Sequence, residues 1–407
     1  MKISLREIPG SGRGYDLLLG GLLLVTLLGM ASAWFMESRG HIVTGMTNEM
    51  VWGLPHVFAV FLIVAASGAL NVASMASVFG KTEFKPLAPL SALLAIALLL
   101  GGLMVLTLDL GRPDRLIVAM THFNFKSIFA LNMFLYTGFL ACVMAYLWTM
   151  MERSMNRFTP MAGTLAFVGR VALTTGTGSI FGFLVARPAY DSAVIAPLFV
   201  ALSLSYGLAL FLLVLMLACR GSDRPLGDAL LSRLARLQVY FIGAGLYFVL
   251  VYHLTNLYFT KHHDFERFIL LDGGVYTAAF WLGQVLLGGV VPMALLLHPR
   301  IAQMRRRIVA CAALVVAGGL AQMYVTIIGG QAFPAVMFPG HQVSSSFRDG
   351  AVASYTPSVV ELLLGLGGVA VAGLIVLLAL RLLAFLPDRL DDAAFQRDVA
   401  PGVGGGA

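Results

Sequence analysis

Four side chains within the apolar parts of this sequence can move a proton or hold a carbonyl oxygen: His56, Asp109, Tyr136 and Asn71. Polar groups in hydrocarbon cost free energy unless they have partners or a task, so each marks a candidate site. Imidazole exchanges protons near neutral pH, and a carboxylate can pass them to water. Phenol and amide groups supply weaker hydrogen bonds and can equally serve as glue between helices. Arg112, three positions beyond Asp109, can hold the charge of that carboxylate. Together these residues can serve a lipid-soluble carrier such as a quinone, which needs an apolar slot for its tail, a donor at its carbonyls and an outlet for protons.

Other cofactor chemistries lack their ligands. Cys142, Cys219 and Cys311 are widely spaced within or at the ends of apolar runs. With no CxxC or CxxCH pattern, neither an iron–sulfur cluster nor a c-type haem is expected in this chain, and the thiols are expected to pack as small apolar groups. His56 and His253 could face each other across a b-type haem, but both lie near the same end of their spans, so no haem is expected. No phosphate-binding loop is present, and nucleic acid is not an expected partner.

The elements that must position these residues follow from composition. The chain has 407 residues, of which 59% are apolar and 12% charged, about half the charged share of a soluble domain. At about 20 residues per crossing, ten segments emerge at roughly 15–37, 50–79, 87–108, 127–151, 163–186, 194–218, 237–259, 275–297, 308–329 and 358–385. The runs are too long and unbroken for a β-barrel. The 44 glycines, with many Ala and Ser, suit helices that approach closely. The fifth segment is the most polar, because Arg170 and Thr174-Thr175-Gly176-Thr177-Gly178-Ser179 fall inside it. The run Tyr15–Met36 is longer than the core of a signal peptide and reads as a retained span, although basic residues precede it and Ala31-Ser32-Ala33 ends it. The expectation is an all-α integral membrane protein. Residues 1–386 form one polytopic domain, and 387–407 a disordered cytoplasmic tail.

Most of the 27 Lys and Arg residues fall in links on the side of the termini, which places both termini in the cytoplasm. All the histidines except His298 fall on the opposite side, with Asp109, Asp114, Asp191, Asp264, Asp272, Asp349 and Glu361. The outer links are the longer ones, as expected of segments that dock a partner.

At Trp52-Gly53-Leu54-Pro55, Asp109-Leu110-Gly111-Arg112-Pro113 with Arg115, Asn124-Phe125-Lys126-Ser127, and Tyr355-Thr356-Pro357-Ser358 with Glu361, the chain resembles the NrfD family of membrane subunits. That family includes the membrane subunits of polysulfide reductase and hydrogenase-2, and the chain is most similar to its DsrP members from the DsrMKJOP sulfur-metabolism complex. The resemblance implies two four-helix bundles plus two extra helices in a bacterial inner membrane. It implies a haem-free anchor that exchanges electrons between menaquinone or ubiquinone and a periplasmic ferredoxin-like iron–sulfur subunit, within a larger redox complex. It also implies a quinone pocket near the periplasmic face of the first bundle. Carried onto this chain, the pocket falls on His56 and Asp109 as proton-handling groups, with Asn71, Arg112 and Tyr136 as further contacts. The polysulfide reductase members have eight spans and place their pocket histidine differently. A hydrogenase-2-type anchor is one alternative within the family. A transporter or channel for a small anion, with Arg170 and the fifth span lining its path, is an alternative from another class.

Overall fold

The computed structural model describes residues 4–10, 12–298, 304–335, 338, 341 and 350–392. Among these, ten helices have the length of a membrane crossing: α1 (Arg13–Arg39), α2 (Leu54–Ser77), α3 (Ala88–Leu108), α5 (Ile128–Met151), α6 (Thr159–Gly182), α7 (Ile195–Gly221), α8 (Asp228–Tyr258), α10 (Val275–Leu297), α11 (Arg305–Ala332) and α12 (Val359–Leu382). Two short helices lie between them, α4 (Leu116–Thr121) and α9 (His263–Arg267). All but α6 are also apolar enough to span a bilayer. Thus the segment richest in Thr, with Arg170 inside it, still forms an unbroken helix, because Arg170, Thr174, Thr177 and Ser179 turn into the protein.

α2, α3, α5 and α6 pack as one bundle, and α7, α8, α10 and α11 as a second. The bundles meet along α2 and α7, while α1 and α12 pair with each other against α2 and α3. α2 is buried along its whole apolar stretch, whereas α1 and α5 turn most of theirs outward. The central contact is made by small residues. A side chain at Gly68 would collide with the Ser203 carbonyl, and one at Gly207 with the backbone of Gly68 and Ala69. The two backbones therefore touch directly, and van der Waals packing of this kind drives helix association in lipid. Near this contact α2 breaks at Leu70.

Several elements differ in detail from the sequence expectation. The second span starts at Leu54, not 50, because Gly53 is extended and Pro55 fits the first turn of a helix. The seventh begins at Asp228, nine residues earlier than its apolar run, since α8 continues out of the apolar zone on Arg233 and Arg236. π-helical turns run through 279–290 and 325–329.

The two rims are separately tied. At the terminal rim, Leu5–Arg6 (β1) pairs antiparallel with Leu386–Pro387 (β2), and Arg224 donates to the carbonyls of Arg6, Glu7 and Leu386. Gly227 donates to the Leu390 carbonyl and Ala229 to Asp392, so residues 387–392 are held against the start of α8. The rest of the tail, and residues 344–349 of the long loop before α12, lie outside the described residues. At the opposite, distal rim, the links that carry the candidate residues converge.

Candidate functional site

The distal ends of α2 and α3 meet at His56 and Asp109. Pro55 sets the first turn of α2, and the His56 amide closes it on the Gly53 carbonyl at 3.1 Å. Asp109 caps the last turn of α3, its amide on the Val105 carbonyl at 3.0 Å. His56 Nδ1 then stands 2.7 Å from Asp109 Oδ2. The approach is close but off-axis, and it leaves both carboxylate oxygens without a well-directed donor among the described residues. The Asp109 side chain is fully buried, while that of His56 is 16% exposed. The imidazole thus stands between the carboxylate and the surface. A hydrogen-bonding ligand arriving from outside meets His56 first, and Asp109 can exchange a proton only behind it.

Trp52 orients the ring. It stacks on His56 with centroids 6.1 Å apart and 28° between planes, and packs edge-on against Phe181 at 5.6 Å. Its backbone is clamped by one side chain. Gln331 Nε2 donates to the Trp52 carbonyl at 2.9 Å, and Gln331 Oε1 accepts from the Trp52 amide at 3.0 Å. Arg187 extends the clamp, donating to the carbonyls of Gln331 at 2.7 Å and Glu49 at 2.9 Å. From the other side, the buried Glu361 accepts from the Tyr355 hydroxyl at 2.8 Å, and that hydroxyl accepts from the Leu54 amide at 2.6 Å. Ser358 and Glu361 also form a reciprocal cap on α12. Burial, followed by the charge of Glu361, pushes the Tyr355 phenol well above its usual range, so it remains a donor. Phe129, half exposed, packs against Trp52. An exposed apolar ring thus adjoins the Trp52 that stacks on the histidine.

The remaining sequence candidates are distributed differently. Arg112 does not turn back to Asp109. Its Nε donates to Asp114 Oδ1 at 3.2 Å on an exposed turn, and this contact lowers the pKa of Asp114. Tyr136 is buried between α5 and α6, with its hydroxyl beside Thr177 and four residues of α6 below the Phe181 that packs on Trp52. Asn71 lies about 22 Å along α2 from His56 at 1.5 Å per residue. There it accepts from the buried Arg170 Nη2 at 3.0 Å, and the guanidinium lies 5.0 Å from the Phe167 ring. Asn71 and Arg170 form a centre of their own. His253 belongs to the second bundle, its Nδ1 2.7 Å from Glu266, so the two histidines considered for a haem are each engaged by a separate carboxylate. Gln331 and Arg187 carry no motif in the sequence. A glutamine at the end of an otherwise apolar run was the available signal.

The family model described as "Polysulphide reductase, NrfD" matches residues 42–335, which run from just before α2 to just past α11. The chain belongs to the NrfD family. The NrfD match takes in both bundles and leaves the α1/α12 pair outside. Across the chain, there is 30% identity over 397 residues to the Hdr-like menaquinol oxidoreductase integral membrane subunit of Archaeoglobus fulgidus, covering 96% of this chain and 98% of that protein. A putative dimethyl sulfoxide reductase membrane subunit of Halobacterium salinarum is 29% identical, covering 95% and 94%. One of the polysulfide reductase chains of Wolinella succinogenes is 25% identical, covering 70% of the present sequence and 96% of its own. These NrfD-type relatives share one description: each is named as part of an oxidoreductase.

Proposed function

We propose that this chain is the quinone-reactive membrane subunit of a redox complex and that His56 and Asp109 are its proton-handling pair. The carrying observation is the 2.7 Å contact between a fully buried carboxylate and a part-exposed imidazole. The membrane-subunit relatives, one of them by name a menaquinol oxidoreductase subunit, support it. A quinone takes two electrons and two protons to become a quinol, and the reverse step releases them. His56 hydrogen-bonds a carbonyl oxygen of the head group and gives or takes a proton there, and Asp109 holds the imidazole and exchanges a proton at its Nδ1. Tyr136, deeper in the same bundle, contacts the ring. Arg112, paired with Asp114 at the mouth, contributes charge outside the pocket.

The distal rim faces the periplasm of a bacterial inner membrane, and both termini lie in the cytoplasm, in keeping with the basic residues gathered at the terminal rim. Electrons pass to or from a periplasmic ferredoxin-like iron–sulfur subunit docked over the distal links, in a complex of sulfur metabolism. The test is binding of a quinone analogue to the purified chain and quinone-linked turnover of the complex. Displacement of the analogue by quinol, and loss of both signals in His56→Ala, is the expected result. Movement of a small anion across liposomes without any redox partner would instead favour a transporter, with Arg170 in its path.

A further inference from the structure

The second bundle holds an acid–base cluster of its own, on residues that the quinone site does not use. His253 lies near the distal end of α8 with Nδ1 2.7 Å from Glu266 Oε2, and Glu266 is fully buried on α9. Asn256, one turn further along α8, donates to Glu266 Oε1 at 2.8 Å, and its Oδ1 lies 3.0 Å from His262 Nδ1. Because the Asn256 amide nitrogen is engaged by Glu266, its oxygen must accept from His262, so His262 carries its proton on Nδ1 and presents Nε2 as an acceptor. That nitrogen faces Asp191 Oδ2 at 3.9 Å, and Asp191 binds Lys261 at the surface. Burial, with the Lys261 charge second, lowers the pKa of His262 and keeps Nε2 open.

The inner end of this cluster opens on a cavity. His253, Tyr252, Phe265, Gln284, Gln322 and Thr326 are among its lining residues, and its volume is about 30 Å³. That is room for about two water molecules at 10–15 Å³ each. Both amide atoms of Gln284 and the Oε1 of Gln322 are buried there without hydrogen-bond partners among the described residues. Buried amide groups without partners are costly, whereas water in a polar cavity of this size satisfies them. The charged and titratable neighbours of the pair are Tyr252 on α8, His262 and Lys261 on the turn after it, and Asp191 on the α6–α7 link. The elements α10 and α11 present uncharged Gln284, Gln322 and Thr326.

We infer that His253 and Glu266 form a second proton-binding site, hydrated through the Gln284–Gln322 cavity and held in place by Asn256 and His262. One proton is shared between His253 Nδ1 and Glu266 Oε2. The pair exchanges that proton with water in the cavity, one leaving for each one that returns. Asn256 carries no proton. It holds Glu266 and His262 in register. The site is independent of quinone and requires no redox step.

The full-length chain, labelled with ¹⁵N-histidine and placed in lipid nanodiscs, tests this with the proton itself as probe. Exchange of the shared His253 ring proton with deuterium is expected to slow about 100-fold in Glu266→Gln, the low end of what a positioned proton-transferring side chain contributes. Thermal unfolding checks that each variant folds. If Glu266→Gln does not fold, Gln284→Leu, which takes a polar partner from the water of the cavity, makes the same comparison. Equal exchange rates in the folded variant and the unaltered chain would overturn the inference and leave the cluster a structural brace.

Discussion

The hydroxyl of Tyr355 donates to Glu361 at 2.8 Å while accepting from the Leu54 amide at 2.6 Å, so one oxygen ties the cap of α12 to the first turn of α2. That turn carries His56. The two helices are more than three hundred residues apart in sequence, yet the position of the imidazole depends on their junction. Gly53 is what allows it, because a side chain there would run into the Glu361 carboxylate and the Tyr355 hydroxyl.

Removing that oxygen leaves two buried groups short of a partner. Tyr355→Phe is expected to cost about 1–3 kcal/mol, seen as a lower Tm. A second consequence concerns pH. Burial raises the folded-state pKa of this phenol, so its stabilising contribution is complete below the unfolded value of about 10. It is lost as pH climbs from there through the folded value. The unaltered chain should therefore lose stability above about pH 10 by a component that Tyr355→Phe lacks. Tyr190, raised by the same cause, remains in both proteins. Parallel unfolding curves for the two proteins over that range would refute the assignment.

Asp109→Asn separates proton transfer from packing at the proposed quinone site. The amide keeps the shape of the carboxylate but cannot take a proton from His56 Nδ1. Quinone-linked turnover is expected to fall about 100-fold or more, the usual loss for a positioned acid or base, while binding of a quinone analogue changes little. His56→Ala is expected to lose both, since in the proposed site the imidazole edge meets the ligand. Turnover of the assembled complex and analogue binding, measured side by side, distinguish the two variants.

Much of this arrangement was legible in the sequence. Spans that alternate in direction bring the start of the second and the end of the third to one face, so His56 and Asp109 could be paired without coordinates. Asn71 shows where that logic stops. It shares a helix with His56, but helical rise sets it about 22 Å deeper, and its partner Arg170 comes from a helix that the sequence joins to it by no motif. Glu266 was not legible either. It sits in a run of charged residues, Lys261 to Arg267, that reads as exposed loop, and only the fold of α9 buries it. Gln284 and Gln322 were not legible for a related reason: an amide within an apolar run shows its role only through what it faces.

Asn71→Leu tests that distance. It removes the acceptor for Arg170 Nη2 and leaves a buried guanidinium whose Nε already lacks a partner among the described residues. Loss of a hydrogen bond to a charged group is expected to cost about 1.5–3 kcal/mol. Quinone-linked turnover per assembled complex should stay within about twofold, since removals at separated sites act independently. A specific loss of turnover with stability intact would bring Asn71 back to the quinone pocket.

The turn after Asp109 offers the sharpest contrast between adjacent residues. Arg112 and Asp114 form a pair in which each side chain is more than 60% exposed, and solvent screens such a pair so that it adds little to stability. Arg112→Ala is therefore expected to leave Tm and quinone affinity close to those of the unaltered chain. Gly111 differs in kind. Its φ of +72° lies in the left-handed region, and a side chain there would press on the His41 ring at 3.3 Å. Gly111→Ala should cost about 1–2 kcal/mol from the backbone alone. Because Gly111 follows Asp109 by two residues, the strain is relieved most readily by shifting the carboxylate away from His56. Quinone-linked turnover should fall in Gly111→Ala and hold in Arg112→Ala. The reverse pattern would mean that the guanidinium, and not the course of the turn, is what the Asp109 region requires.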